Sequence, residues 1–523
     1  MGGCSSTTLH SACQNGNVDE ARLLLEKDAD VNQTKRKCCW DTGQTPLYIA
    51  CAYGHVDVAR LLLKRGADIN RAKKGGDTPL SIACYKGHID AVRLLLDEGA
   101  AIDRATKDGR TALFVACEKD HVDAARLVLE RGADINRAKK GGDTPLSVAC
   151  YNGHVGAAQL LLDKGAAIDQ ADEVGRTPLY AACMKGHVDA ARLLLDKGAE
   201  VDRAMDGGWT PLLIACGEGH VDAVRLLLEK GAEVNRVNNK GDAPLWQACV
   251  GGHVDAVRLL LDNGAEIDQA EKEYGTTPLY IACQEGHLDV ARLLLDCGAD
   301  PDQATFEWHR TPLHNACYKG HIDAARLLLE KGAEVDPVEV NGRTPLHHAC
   351  QEGHLDVMRL LLARGADQFK HDNSGKKGDY FSGKTPYDTA EDFEWGALVA
   401  ELRRLSDSGV DNYSSKKRRE RVQAEFELAR SELELNRSAR KASLSARGIR
   451  VQEKDWEANL TLRERNDRKS ERLSRRLDRL VREAQERKDL AARREDANAA
   501  TTTTQSPTAQ PLDVDAASST NPN

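Results

Sequence analysis

The sequence predicts an all-α fold, in which helix-turn-helix units stack into a solenoid that is followed by a long charged helix and a polar tail. Three observations predict it. One short motif returns about every 33 residues from residue 7 to about residue 400. Aromatic residues make up only 4% of the chain, which also contains 43 glycines, and this composition suits thin layers joined by turns. Beyond the repeats, residues 416–495 contain no proline and are rich in strong helix formers.

The repeated motif is a Thr-Pro-Leu element with few variants, and each copy marks the start of one unit. Units one to twelve begin at Thr7, Thr45, Thr78, Thr111, Thr144, Thr177, Thr210, Ala243, Thr277, Thr311, Thr344 and Thr385. The steps between them are 38 residues, then 33 six times, then 34, 34, 33 and 41. A period of this length is typical of supersecondary units that pack only on their neighbours.

Each part of a unit is explained by the helix or turn that it forms. A typical unit reads GRTPLYAACMKGHVDAARLLLDKGAEVD from residue 175. Thr177 is suited to cap a short helix, and Pro178 is tolerated at its first position because that N–H has no helical partner. Apolar residues at i, i+3 and i+4 from Leu179 give this helix one apolar face, and the glycine before His ends it. A leucine-rich second helix follows, and the pair can bury its apolar face only by stacking on neighbours.

This motif, TPL-x-x-A-C-x-x-G-H-x-D-x-[AV]-R-L-L-L-x-x-G-A-x-[IV]-[DN], strongly resembles the ankyrin repeat. The resemblance covers residues 7 to about 400, with about eleven clear units and a degenerate C-terminal cap. It implies a solenoid of helix pairs with β-turn or hairpin tips. It also implies a protein that binds other proteins on the concave face formed by the tips and the short helices.

The departures from the repeat are local. Thr8 replaces the expected proline in unit one, and Ala243 replaces the capping threonine of unit eight. His309 stands where the turn glycine is expected, so we expect that turn to be distorted. Five extra residues lie between units one and two, around residues 35–41. The segment RAKKGGDTPLS occurs twice, at 71–81 and at 137–147.

Most of the fifteen cysteines occupy one position of the repeat. The eleven are Cys13, Cys51, Cys84, Cys117, Cys150, Cys183, Cys216, Cys249, Cys283, Cys317 and Cys350. Matching helices of stacked units lie about 8–10 Å apart, whereas a disulfide needs Cα atoms within about 7 Å. We therefore expect buried free thiols in a reducing compartment. With no membrane-spanning run and no signal peptide, a cytoplasmic location is expected, with nuclear or peripheral membrane locations left open.

The resemblance places the binding surface at residues one to five before each unit's first residue and at positions seven and eight after it. The candidate partner-binding residues, some of them one turn earlier, are Lys73, Lys74, Tyr85, Lys139, Lys140, Tyr151, Trp209, Trp246, Tyr274, Tyr280, Phe306, Trp308 and Tyr318. Later tips add the acidic residues Asp172, Glu173, Asp206, Glu271, Glu273, Glu307 and Glu339. The hypothesis is a basic first half and an acidic, aromatic second half that select an extended partner of opposite polarity. Alternatively, the lysines only keep the edge soluble.

Patterns that suggest chemistry have simpler interpretations. Ten histidines recur in the Gly-His position: His55, His88, His121, His154, His187, His220, His253, His287, His321 and His354. They lie about one unit apart, too far to share zinc at about 2.1 Å, so we expect them to bond turn backbone between units. His309, His314, His347 and His348 could cluster, but no matching ligands accompany them. No nucleotide, nucleophile or zinc motif appears, so we expect no catalysis, cofactor, metal or small-molecule substrate.

The two ends of the chain carry the remaining signals. Residues 1–6 form a tail in which Gly2 fits an N-myristoylation pattern and Cys4 could take palmitate, so membrane binding is expected only with acylation. The vicinal Cys38 and Cys39 suggest a redox-sensitive loop or chance composition. The predicted segments are the repeats at 7–405, a linker at 406–415, a charged helix or short coiled coil at 416–496, and a disordered tail at 497–523.

Charge is divided unevenly along the chain. Residues 416–495 carry 25 Lys+Arg against 16 Asp+Glu, a net charge of +9, and residues 496–523 carry −3, so the total of −9 leaves −15 for residues 1–415. An acidic body is poorly suited to nucleic acid. The leading interpretation is a non-enzymatic scaffold or adaptor that binds proteins and could self-associate through residues 449–495. The alternatives are a nucleic-acid-associated regulator that uses the basic helix and a membrane-tethered adaptor acylated at Gly2.

Overall fold

The computed structural model describes residues 8–34, 36–37, 40–41, 43–373, 383–393 and 400. These residues belong to the first of two compact units of the chain, which spans residues 1–437. Within the described ranges, helices follow one another in pairs, a short helix and then a nine-residue helix, from unit one to unit eleven. The predicted all-α solenoid is therefore confirmed.

The helices, in chain order, are α1 (Leu9–Asn15), α2 (Val18–Glu26), α3 (Pro46–Ala52), α4 (Val56–Lys64), α5 (Pro79–Lys86), α6 (Ile89–Asp97), α7 (Ala112–Glu118), α8 (Val122–Glu130), α9 (Pro145–Tyr151), α10 (Val155–Asp163), α11 (Pro178–Met184), α12 (Val188–Asp196), α13 (Pro211–Gly217), α14 (Val221–Glu229), α15 (Pro244–Val250), α16 (Val254–Asp262), α17 (Pro278–Glu285), α18 (Leu288–Asp296), α19 (Pro312–Lys319), α20 (Ile322–Glu330), α21 (Pro345–Glu352), α22 (Leu355–Ala363) and α23 (Pro386–Asp392). Odd numbers mark the first helix of each unit. Two short strands, β1 (Arg36–Lys37) and β2 (Trp40–Asp41), pair antiparallel between units one and two.

Threonine caps begin the first helices as the sequence predicts. The Thr177 side chain, for example, accepts a hydrogen bond from the Tyr180 N–H at 3.2 Å. Ala243 has no side chain that can do this, yet α15 still begins at Pro244. In unit one the cap is Thr8 rather than Thr7, and the helix begins one residue later because no proline precedes Leu9.

One apolar core runs through all the layers, from Leu9 in α1 to Ala390 in α23. Each layer contributes small and leucine side chains; Cys183 and Leu194, for example, have no exposed surface. The first helices of neighbouring units pack more closely than the second helices do. The stack therefore curves with its first helices on the inner side, which puts the tips and first helices on one concave surface.

Three hydrogen-bond ladders join neighbouring units across the described residues. In the tip ladder, a backbone N–H of one tip donates to a carbonyl of the tip before it at 2.7–3.1 Å. In the histidine ladder, nine of the ten Gly-His imidazoles lie 3.0–3.2 Å from a carbonyl oxygen of the preceding unit. The predicted role of these histidines is thereby confirmed.

The third ladder lies in the loop after each second helix and was not predicted. The side chains of Asn32, Asn70, Asp103, Asn136, Asp169, Asp202, Asn235, Asp268, Asp302 and Asp336 each accept a hydrogen bond from a backbone N–H of the next unit, at 2.8–3.2 Å. We call this row the loop ladder. Phe369 occupies the same position in unit eleven, where it cannot accept such a bond, and 59% of it is exposed.

Two segments depart from the repeat without interrupting the stack. The extra residues between units one and two extend the tip as the β1–β2 hairpin, in which Arg36 pairs with Asp41. His309 adopts a φ of +50°, close to the +72° of Gly275 at the same place in the preceding tip. The Thr305 N–H still donates to the Arg310 carbonyl at 3.0 Å, so the expected distortion is wrong: His309 itself takes the left-handed conformation.

Candidate binding surface

The basic side chains of the early tips are of two kinds. Lys73 and Lys139 are half-buried, and their ammonium groups lie 2.9 and 3.0 Å from Asp77 and Asp143. Lys140 is exposed, as is Lys74 in the matching tip. Two of the four predicted lysines are therefore paired with carboxylates of their own tips.

Tyrosines on the first helices hold further lysines over their rings. The ammonium groups of Lys86 and Lys119 lie 5.5 and 5.0 Å from the ring centroid of Tyr85, and that of Lys185 lies 5.0 Å from Tyr151. Tyr151 is 40% exposed. Such contacts are worth about 0.5–1 kcal/mol at exposed sites. The predicted tyrosines thus lie on the surface together with cations that the sequence interpretation left out.

Apolar side chains are exposed on three consecutive tips, those of units nine to eleven. They are Tyr274 (49% exposed), Phe306 (60%), Trp308 (43%), Val338 (48%) and Val340 (49%). The tip ladder makes them neighbours: the Phe306 N–H donates to the Tyr274 carbonyl at 2.8 Å, and the Val340 N–H to the Trp308 carbonyl at 3.1 Å. We call these five residues the aromatic tip surface.

The prediction for Tyr280 is wrong because of its position in the helix. Tyr280 is only 7% exposed, so it is a core residue rather than a surface one. It lies three residues after Thr277, and the matching Tyr48, Phe114 and Tyr180 are buried as well. Side chains at this position enter the interface between units, whereas those at seven and eight face outward.

Other predicted aromatics are only partly available. Trp246, at the same helix position as Tyr280, is half-buried and donates its indole N–H to Thr276 Oγ1 at 3.2 Å. Trp209 is half-buried as well, although it lies at a tip. Tyr318 is half-buried with its ring centroid 5.9 Å from that of His348. These contacts hold Trp246 and Tyr318 in place, and all three side chains are only partly exposed.

The predicted acidic second half holds for only part of its residues: Glu173, Asp206, Glu273 and Glu307 are exposed, whereas Glu271 and Glu339 are buried. Glu271 is 5% exposed and accepts from the N–H groups of Tyr274 and Thr276 at 2.7 and 3.0 Å, so it closes its own tip. Glu339 is 3% exposed and pairs with Arg310 Nε at 2.5 Å. A carboxylate within reach of tip N–H groups or a guanidinium satisfies them instead of facing solvent.

One concavity contains residues that the sequence interpretation missed. An open pocket of about 450 Å³ lies on the inner surface of units one to three and is lined by Gln14, Gln44, Tyr48, Ile49, Ala52, Tyr53, Ile82, Lys86 and His88. Tyr53 is 52% exposed. It lies eight residues after Thr45, so the positional rule that selects the tyrosines of later units would have found it.

A buried polar cluster lies under the inner surface of units ten and eleven. His348 is 2% exposed, its Nε2 atom is 3.4 Å from Glu339 Oε2, and its ring packs edge-on against His314. Burial alone would raise the pKa of Glu339, but His348 and Arg310 outweigh it and lower the pKa to about 2. Burial lowers the pKa of His314 to about 3, which keeps that imidazole neutral. Of the four histidines that could cluster, His314 and His348 are in contact and pack as part of the fold, whereas His309 is exposed.

The repeated cysteines are buried free thiols, as predicted. Burial raises the pKa of Cys183 to about 12, and its counterparts shift in the same direction. A thiol with so high a pKa is a poor nucleophile. Among the described residues, no group of three or more His, Cys, Asp or Glu side chains could hold a metal ion.

Comparison with known proteins agrees with this geometry. The family described as ankyrin repeats (3 copies) matches residues 2–73, 70–139, 137–205, 202–271, 231–305 and 303–372. These matches cover more than half of the chain, which therefore belongs to the ankyrin-repeat family. None of the curated proteins matches the chain.

The remaining sequence predictions fall largely outside the described residues. They concern Gly2, Cys4, the Cys38–Cys39 pair, the segment 416–496 and the tail 497–523. Of the helices in the described ranges, none is both long and apolar enough to cross a membrane.

Proposed function

We propose that the chain is a non-enzymatic scaffold that binds other proteins on the inner surface of its ankyrin array. The aromatic tip surface carries the proposal. Aromatic residues are only 4% of the chain, yet three of them are exposed on two consecutive tips. Clustered exposed apolar side chains of this kind are typical of protein interfaces, and Trp and Tyr are frequent hot spots.

The constant frame and the variable surface support the same function. Capping threonines, buried cysteines and the three ladders repeat from unit to unit, whereas positions seven and eight and the tips vary. A solenoid of this kind offers an extended surface along which a partner contacts several units. Ankyrin repeats generally bind other proteins, and the buried thiols favour the cytoplasm as the place where this chain does so.

The experiment compares full-length chains that carry Phe306→Ala with Trp308→Ala against the unchanged chain. Partners are captured by affinity purification with cross-linking, purified, and titrated against each chain by calorimetry. We expect the double variant to weaken binding at least about thirtyfold, since hot-spot truncations cost about 2 kcal/mol or more. Phe369→Ala is the matched control because Phe369 is equally exposed but lies at the end of the loop ladder.

The outcome is read from the difference between the two variants. A purified partner that binds the double variant as well as it binds the Phe369→Ala control would show that the aromatic tip surface is not the interface. Self-association through residues 449–495 is a separate proposal, and sedimentation of the chain with and without that segment tests it. The scaffold function does not depend on its result.

A further inference from the structure

We propose that the inner surface of units one to four binds an extended acidic segment of a partner protein. An apolar side chain of that segment fills the pocket between Tyr53 and Ile82, and its carboxylates meet Lys86 and Lys119. The inference rests on the proposed scaffold function and adds the chemistry of one partner segment. It concerns the opposite half of the array from the aromatic tip surface.

The pocket has an apolar floor and a polar rim. Tyr48 and Ile49 are each 3% exposed and form the floor, while Ile82 is half-buried and Tyr53 is 52% exposed. Its volume of about 450 Å³ falls within the range of about 300–1,000 Å³ that is usual for binding pockets. An apolar side chain placed here would remove exposed surface of Tyr53 and Ile82 from water, and this favours binding.

Two lysine ammonium groups lie beside this pocket without carboxylate partners. Lys86 belongs to its rim, and Lys119 of the next unit approaches the same Tyr85 ring, with the two nitrogens 5.5 and 5.0 Å from its centroid. No Asp or Glu within the described ranges pairs with either lysine. The ring attracts both cations to the surface, so a ligand carboxylate finds them already in place.

The nearby carboxylates are engaged elsewhere. Asp77 pairs with Lys73 at 2.9 Å, and Arg110 lies 2.7 Å from Asp108 and 3.5 Å from Glu118. With Lys73, Arg110, Lys86 and Lys119, four cationic groups stand against these three carboxylates, so the net charge on this part of the inner surface is positive. The partner segment is therefore negative.

The spacing of the units sets the pattern of the segment. Stacked helices lie about 8–10 Å apart, and an extended chain advances about 3.3–3.6 Å per residue. Carboxylates about three residues apart consequently reach Lys86 and Lys119 in turn. The apolar anchor lies on the unit-one side of them, because the pocket includes Gln14 of α1.

A protein segment fits this surface better than a nucleic acid does. A phosphate backbone carries charge at every nucleotide, which is more than the two lysines of this surface balance. An acidic peptide needs charge only opposite the lysines. The net charge of −15 on residues 1–415 also repels a densely charged polyanion more strongly than a peptide with a few carboxylates.

The test uses the full-length chain and a fluorescein-labelled peptide that contains one tryptophan and a glutamate at every third position. Fluorescence anisotropy measures binding to the unchanged chain, to Tyr53→Ala and to Lys86→Glu with Lys119→Glu. We expect each variant to bind at least about tenfold more weakly. Phe369→Ala and Lys272→Glu are the matched controls, since Phe369 is 59% exposed in the loop of unit eleven and Lys272 is exposed at the tip of unit nine. They should bind like the unchanged chain.

Three results would overturn the inference: no binding to the unchanged chain, equal binding by pocket variants and controls, or loss of binding by both. A fourth result, displacement of the peptide by single-stranded DNA with steep salt dependence, would overturn it in favour of a nucleic-acid site. Circular dichroism checks that every variant is folded. If the peptide fails while the aromatic tip surface still binds a purified partner, only this inference is lost and the scaffold function stands.

Discussion

Asp302 offers the sharpest test of how the units are joined. As a member of the loop ladder it accepts from the Glu334 N–H at 2.9 Å. Burial raises its pKa to about 7 despite that bond, and the charges of Glu334 and Asp300 act in the same direction. Asp302→Asn keeps an oxygen for the Glu334 N–H and removes the charge. Four other positions of the ladder already carry asparagine, among them Asn136, which bonds the Ala167 N–H at 2.9 Å.

The sign and size of the effect follow from linkage. Because the folded-state pKa lies above the unfolded value, the carboxyl group stabilises the fold when protonated, and this stability is lost as pH rises through about 7. A shift from 3.8 to about 7 corresponds to an upper limit of about 4 kcal/mol at about 1.4 kcal/mol per pKa unit. Solvent in this partly exposed loop screens the charge, so we expect a gain of about 1–2 kcal/mol above pH ~7 and almost none below pH ~4.

Urea unfolding monitored by circular dichroism across this pH range measures the difference between Asp302→Asn and the unchanged chain. The midpoint should rise without a change in slope. Asn136→Asp is the reverse experiment: it should cost stability at neutral pH and recover it in acid. An Asp302→Asn chain that is no more stable above pH ~7, or whose gain does not depend on pH, would contradict a buried charge at this position.

The remaining predictions concern single residues that depart from the repeat. Ala243→Thr should supply the missing cap of α15, whose N-cap has no side-chain hydrogen bond, and raise the free energy of unfolding by about 1 kcal/mol. An unchanged urea midpoint would mean that Pro244 alone is sufficient to begin the helix. His309→Gly should add about 1 kcal/mol, since glycine adopts the φ of +50° without strain. A loss of stability there would show that the imidazole makes a contact worth more than the backbone strain.

Much of the fold could be predicted from the sequence because its signals are local and repeated. A capping threonine, a proline at the first helical position and a glycine before histidine each act within one turn of chain. Their fixed spacing then predicts the stacking. The loop ladder could also have been found, since Asn or Asp recurs 25 residues after most unit starts, as at Asn70 after Thr45.

The binding surface was harder to predict because exposure depends on which hydrogen bonds each side chain forms. Glu271 and Glu273 are both acidic residues of one tip, yet Glu271 turns inward to bond N–H groups and Glu273 is exposed. Tyr280 is buried because of its helix position, whereas Tyr274 is exposed because the longer tip carries it outward. Sequence spacing therefore predicts well which side chains of a helix are buried. It predicts poorly which side chains of a tip are exposed.

The near-identical segments at 71–81 and 137–147 have a genetic consequence. They lie 66 residues apart, which is twice the 33-residue period, and both form the same helix cap and the same ion pair. Thr78 with Ser81 and Thr144 with Ser147 form matching reciprocal caps, and Lys73–Asp77 and Lys139–Asp143 form matching ion pairs. Recombination between the two copies would remove two whole units in frame. The residues brought together at the junction would form the same contacts as before. The shortened protein would still form a continuous stack of units, but it would lack Tyr85, Lys86 and Lys119.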